Sequence, residues 1–221
     1  MNRRHMMLMN NNQVCSDNGR SAPRLTPEQK AFLDGRLREH AKLQPDIRQL
    51  EQILLTLGGF NLVAPLEVDG SVFHLINSGF VMQGPIILKP MIAHSCHLNA
   101  SKLWVERKYG VVGIGSGYAL TGADGLWRQH SWGMLREGII ETTVMRHKYF
   151  GVLYWPFLAD GFAYAQYELN GIEPPAHLTA AVSALAQASK SEISVDSGRD
   201  EGSCSRRTYG EDGAVDGQEK R

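Results

Sequence analysis

The 221-residue chain is long enough for one domain with a substantial core and short for two full-sized ones. Its 43% hydrophobic and 21% charged residues match ordinary globular usage and exclude a largely unfolded chain. Lys plus Arg and Asp plus Glu both number 23, so no net field draws the chain to nucleic acid or to an anionic membrane, and no stretch approaches the ~18 apolar residues of a membrane span.

Residues 1–24 are polar and Asn-rich without periodicity, and read as a disordered leader. The opening "MNRRHMMLMNNN" holds only four consecutive apolar residues, Met6 to Met9, too few for the core of a secretory signal. The first 16 residues contain no acid, which keeps an organelle transit peptide open as an alternative. Cys15, Cys96 and Cys204 are too far apart to suggest a disulfide framework, so a reducing, cytoplasmic setting is expected. A single domain is expected over residues 25–189.

In "LTPEQKAFLDGRL", Thr26 is placed to cap a helix, Pro27 fits its first position and Gln29 completes a capping box. A second start at Gln44 and Pro45 leads into Ile47, Leu50, Ile53, Leu54 and Leu57 at helical spacing, and Gly58 and Gly59 end it. That stripe predicts a packing face. From Phe60 to Ile92, short apolar runs broken by Gly, Pro and Asn predict short strands or irregular chain. A helix is expected from Cys96 to about Arg107. Four aromatic or β-branched runs, "YGVVGIGSGYALTG", "GLWRQHSWGML", "GIIETTVMR" and "KYFGVLYW", then predict an antiparallel meander. The glycines of the first run read as a strand that lets substrate or another backbone approach closely rather than as a nucleotide loop, since no G-x-G-x-x-G precedes a helix and no Lys-Ser/Thr is present. An Ala-rich helix follows Pro174 and Pro175, and the Ser, Gly and charge of residues 190–221 predict a disordered tail.

In "AHSCHLNASKLW", Ser95 is placed as an N-cap, which puts Cys96 in the first turn of a helix. The free N–H groups and partial positive charge there favour a thiolate and can hold an oxyanion. A thiolate nucleophile needs a base, and the base an orienting group. A turn at "MLREG", centred between Leu135 and Arg136, sets His130 directly opposite Glu141 on a hairpin, where the carboxylate can fix the imidazole. Arg128 and Trp132 alternate onto the same face, as a carboxylate or backbone anchor and a hydrophobic wall. Gln83 has the side chain for a second oxyanion donor.

This order of segments, "SCHLNASKLW" with a Cys at a helix start, "RQHSWG" on a strand and "GIIETT" on the next, resembles the core of papain-like cysteine enzymes, most closely the transglutaminase-like branch. In that branch an aromatic follows the histidine, and the acid lies in a D-P-T-like stretch. The resemblance covers roughly residues 90 to 155, about a third of the chain. It implies an α+β fold with N-terminal helices followed by an antiparallel sheet. It also implies a Cys96, His130, Glu141 triad working through a thioester, with no cofactor and a peptide or protein amide as substrate. Glu followed by Thr-Thr departs from the pattern, and His97 has no counterpart in it. Hydrolysis, deamidation and acyl transfer to an amine all remain within that chemistry.

Two other classes of function are compatible with the same residues. In a protein-binding or scaffold domain, Cys96 would be a packed residue and "YFGVLYW" a partner surface. In a zinc module, His94, Cys96, His97 and His130 would be ligands, but H-x-C-H is not ligand spacing and neighbouring helical side chains diverge by about 100°.

Overall fold

A computed structural model describes residues 25–196. The expected leader, Cys15, Cys204 and the tail beyond residue 196 lie outside the described residues. Among the described residues the fold is mixed α+β, with six α-helices and a curled seven-stranded sheet. No described helix is long and apolar enough to cross a membrane.

Helix α1 (Pro27–Leu43) starts as expected: Gln29 N–H donates to Thr26 Oγ1 at 3.2 Å and Thr26 N–H to Gln29 Oε1 at 2.9 Å. Helix α2 (Ile47–Thr56) buries Ile47, Leu50 and Leu54. It is followed by Gly58 and Gly59 at φ 119° and 86°, a region open to glycine at little cost. The ambiguous stretch after it forms β1 (Asn61–Leu62), α3 (Val72–Ser78), β2 (Phe80–Met82) and β3 (Ile86–Leu88). Then come α4 (Cys96–Val105), β4 (Gly113–Leu120), β5 (Leu126–Met134), β6 (Ile139–Glu141), β7 (Lys148–Tyr154), α5 (Pro156–Leu169) and α6 (Ala176–Asp196). Helix α6 runs into the stretch expected as tail, because no Gly or Pro interrupts it before Gly198.

The sheet order is β2-β7-β4-β5-β6-β3, with β1 beside β5. Pairs β1/β5 and β3/β6 are parallel, so the sheet is mixed and not the antiparallel one expected. The meander itself is antiparallel. The parallel strands precede α4 while their partners follow β4, and alternation within a strand carries no signal of such crossovers. Strands β2 and β3 sit at opposite ends of the order yet are joined by Gln83, Gly84 and Pro85, and Ile139 N–H donates to Pro85 O at 3.0 Å. The curl therefore brings the two ends of the sheet within one short link of each other.

Two helical layers cover its outside. Leu37, Leu50 and Leu54 pack with Tyr118, Trp127 and Phe150, while Leu103, Trp104 and Ala163 pack with Ile114 and Ile140. Inside the curl, Met82, Ala119, Trp132, Ile139 and Tyr149 form a separate cluster. The Gly-rich β4 makes room for it: Gly115 pairs with Trp132, and a Cβ on Gly115 would lie 2.1 Å from the Trp132 indole nitrogen. At Gly115 the close approach is made by the Trp132 side chain, whereas at Gly117 it is made by the backbone of Phe150 and Gly151, as expected of this strand. Gly115→Ala is accordingly expected to destabilise the fold by about 1–3 kcal/mol through overpacking. Gly161→Ala, inside α5 where an added Cβ meets nothing within 4 Å, is expected to stabilise by about 0.5–1 kcal/mol. Urea unfolding midpoints of the two variants check both signs.

Candidate active site

Cys96 is the first residue of α4, as its sequence predicts, but Ser95 does not cap the helix with its side chain. The chain turns sharply through His94, at φ 61°, and Asn99 holds the entry by donating Nδ2–H to Ile92 O at 2.7 Å. Strand β6 pairs only with Gly133 and Met134 of β5, so the stretch of β5 around His130 and Ser131 has no β6 partner. The N-terminus of α4 meets β5 there: His97 Nδ1 lies 2.7 Å from Ser131 Oγ, and Cys96 interacts with His130.

His130 and Glu141 are 1% and 0% exposed, with Nε2 to Oε2 at 2.8 Å. The turn is centred between Arg136 and Glu137, one position later than expected. That moves the register by two residues, which sets Glu141 level with Trp132 and diagonal to His130. Parity is kept, so both side chains stay on the inner face and remain within reach. Glu141 Oε2 also accepts from Tyr149 Oη at 2.9 Å, and Oε1 accepts from Thr143 N–H at 2.8 Å and Thr143 Oγ1 at 2.9 Å. Burial pushes the Glu141 carboxyl up, but His130 and the Thr143 donors outweigh it and hold it below its ordinary value.

Burial likewise pushes the Cys96 thiol up, but hydrogen bonding and positive charge from His130 and His97 bring it down to about 5. Burial lowers His130, whereas its interactions with Cys96 and Glu141 raise it, and the net direction is upward. The lowered thiol and the raised imidazole both favour the ion pair, a thiolate beside an imidazolium. Since Nε2 is committed to Glu141, Nδ1 is the nitrogen left for the sulfur.

Cys96 and His130 open into a cleft of about 340 Å³, shared with His94, Arg128, Gln129 and Arg146. Arg128 thus lies where the sequence suggested. Trp132 does not form a wall of this cleft: it is fully buried inside the curl, stacked behind the His130 ring at 6.1 Å between centroids, with its Nε1–H between the sulfurs of Met82 and Met134. Gln83 lines a different cavity with Met82, His147 and Tyr149, because it belongs to the short link between β2 and β3; the amide that lines the cleft is Gln129. Thr143, Tyr149 and Arg146 escaped the sequence reading, and His97 entered it only as a zinc ligand. Among the described residues no three His, Cys, Asp or Glu side chains converge as metal ligands. Compared with known proteins, the chain matches no family model, no curated protein and no solved structure.

Two measurements check this electrostatics. At pH 6 a thiol near 8.5 is about 0.3% thiolate and one near 5 about 90%, and the weaker nucleophilicity of a low-pKa thiolate leaves a net gain of roughly tenfold. Iodoacetamide is therefore expected to alkylate Cys96 roughly tenfold faster than Cys15 or Cys204, as read by peptide mass mapping. The lowered Glu141 stabilises the fold above the ordinary carboxylate pKa, and that contribution is lost as pH falls through its folded value. The raised His130 stabilises below about 6.5, and that contribution is lost as pH rises through its folded value. The pair contributes most between those limits. Glu141→Gln is expected to cost about 3 kcal/mol at pH 6 and clearly less at pH 9, read by urea denaturation.

Proposed function

We propose that this chain is a cysteine-nucleophile acyl-transfer enzyme that cleaves an amide through a thioester. The observation that carries this reading is the buried Glu141–His130 pair delivering an imidazole to a cysteine at a helix N-terminus, beside an open cleft. The papain-like, transglutaminase-like resemblance and a cytoplasmic location belong to the same proposal.

The Cys96 thiolate attacks the carbonyl carbon, and the carbonyl π electrons move to oxygen, where the Cys96 N–H receives the oxyanion. As the C–N bond breaks, His130 passes its Nδ1 proton to the leaving amine. The thioester is then attacked by water or an acceptor amine, whose proton returns to His130 as the sulfur leaves. Glu141 holds His130 in the tautomer this requires, and it is itself held by Thr143 and Tyr149. The cleft volume suits a peptide side chain or short peptide segment rather than a large ligand.

p-Nitrophenyl acetate is a probe that needs no knowledge of the natural substrate. A burst of p-nitrophenol with one acetyl group mapped to Cys96 is expected, and its rate should fall about 10²–10⁴-fold in His130→Ala. Acetylation that is absent, or mapped elsewhere and unchanged in Cys96→Ala, would contradict the proposal.

A further inference from the structure

The residues lining the Cys96 cleft include Arg128 and Arg146 and no Asp or Glu. The two guanidinium groups are differently engaged. Arg128 is held by Asp124, Nη1 to Oδ1 at 3.1 Å and Nη2 to Oδ2 at 2.6 Å, with Thr121 Oγ1 at 3.1 Å. Its charge is thereby balanced.

Arg146 donates Nη1–H to the same Thr121 Oγ1, makes no direct ion pair among the described residues, and has a buried Nε–H without an acceptor. A guanidinium carries five donors in a planar fork suited to a carboxylate, and a buried donor left unpaired is costly. Its place is fixed relative to the chemistry, because Arg146 lies on the segment that leaves β6 through Thr143, the residue that holds Glu141.

We infer that Arg146, assisted by Arg128, is the anchor for a substrate carboxylate, so that the cleft selects amides bearing a carboxylate close to the scissile carbonyl. This inference rests on the acyl-transfer reading of the same cleft. An anion there completes the donors of Arg146 and sets the neighbouring carbonyl beside the Cys96 sulfur. Neutral amides of the same size lose that orientation.

The test uses two alkylating agents that differ mainly in charge, iodoacetate and iodoacetamide, on the full chain. The ratio of their rate constants at Cys96 is expected to fall about tenfold in Arg146→Gln and to recover largely in Arg146→Lys. Asp124→Asn, which releases Arg128 and removes a carboxylate charge that also acts on Arg146, is expected to raise it. Protection against iodoacetamide by N-acetylglycine, whose carboxylate is terminal, or by the α-amide of N-acetylglutamate, whose carboxylate is in the side chain, assigns where the substrate carries its charge. A parent chain in which iodoacetamide labels Cys96 rapidly but the ratio is indifferent to Arg146 overturns the anion anchor alone. Slow labelling of the parent at Cys96 overturns the nucleophile reading and the anchor with it.

Discussion

The buried carboxylate of Glu141 is the constraint on which the site depends. A carboxylate with no exposure is costly unless its oxygens are satisfied, and here four donors from three residues do so: His130, Tyr149, and the backbone and hydroxyl of Thr143. Each comes from a different part of the curled sheet, β5, β7 and the exit of β6, so the carboxylate and the curl support one another. Through His130 the negative charge of Glu141 sustains an imidazolium, and the imidazolium with His97 sustains the Cys96 thiolate.

Packing serves this arrangement. His130 is stacked by Trp132 at 6.1 Å and lies 6.4 Å from Tyr149, with Trp132 and Tyr149 edge to face at 4.9 Å. Glycines of β4 and β7 leave room for Trp132: a Cβ on Gly115 would lie 2.1 Å from its indole nitrogen, and one on Gly151 would lie 2.9 Å from its ring. The aromatic cluster leaves the imidazole little rotational freedom, so its two nitrogens are directed, one to the carboxylate and one to the sulfur. Truncating β6 after Glu141 then leaves the edge of β5 open for the helix that brings the nucleophile.

Much of this was legible in the sequence because local rules governed it. Thr26, Pro27 and Gln29 announced α1, the Leu/Ile stripe announced α2, and the alternation of "GLWRQHSWGML" put His130 and Trp132 on one face. The pairing of His130 with Glu141 survived an error in the turn position because the error changed the register by an even number of residues. What was not legible depended on contacts across the chain. The parallel pairing of β1 and β3, the short link from Gln83 to Pro85 between the two ends of the sheet, and the inward burial of Trp132 are set by crossovers that periodicity does not encode. Divergence of neighbouring helical side chains argues against Cys96 and His97 sharing one ion, yet at the helix start both flank the same strand edge, and His97 acts with His130 on the Cys96 sulfur.

The account stands on an ionised Cys96 stabilised by His130 and, behind it, by Glu141. The most direct test is a pH titration of thiolate ultraviolet absorbance, taken as the difference between the parent chain and Cys96→Ala. The account predicts a midpoint at about 5 that moves upward in His130→Ala. A midpoint at the ~8.5 of an ordinary cysteine, unmoved by His130→Ala, would contradict it.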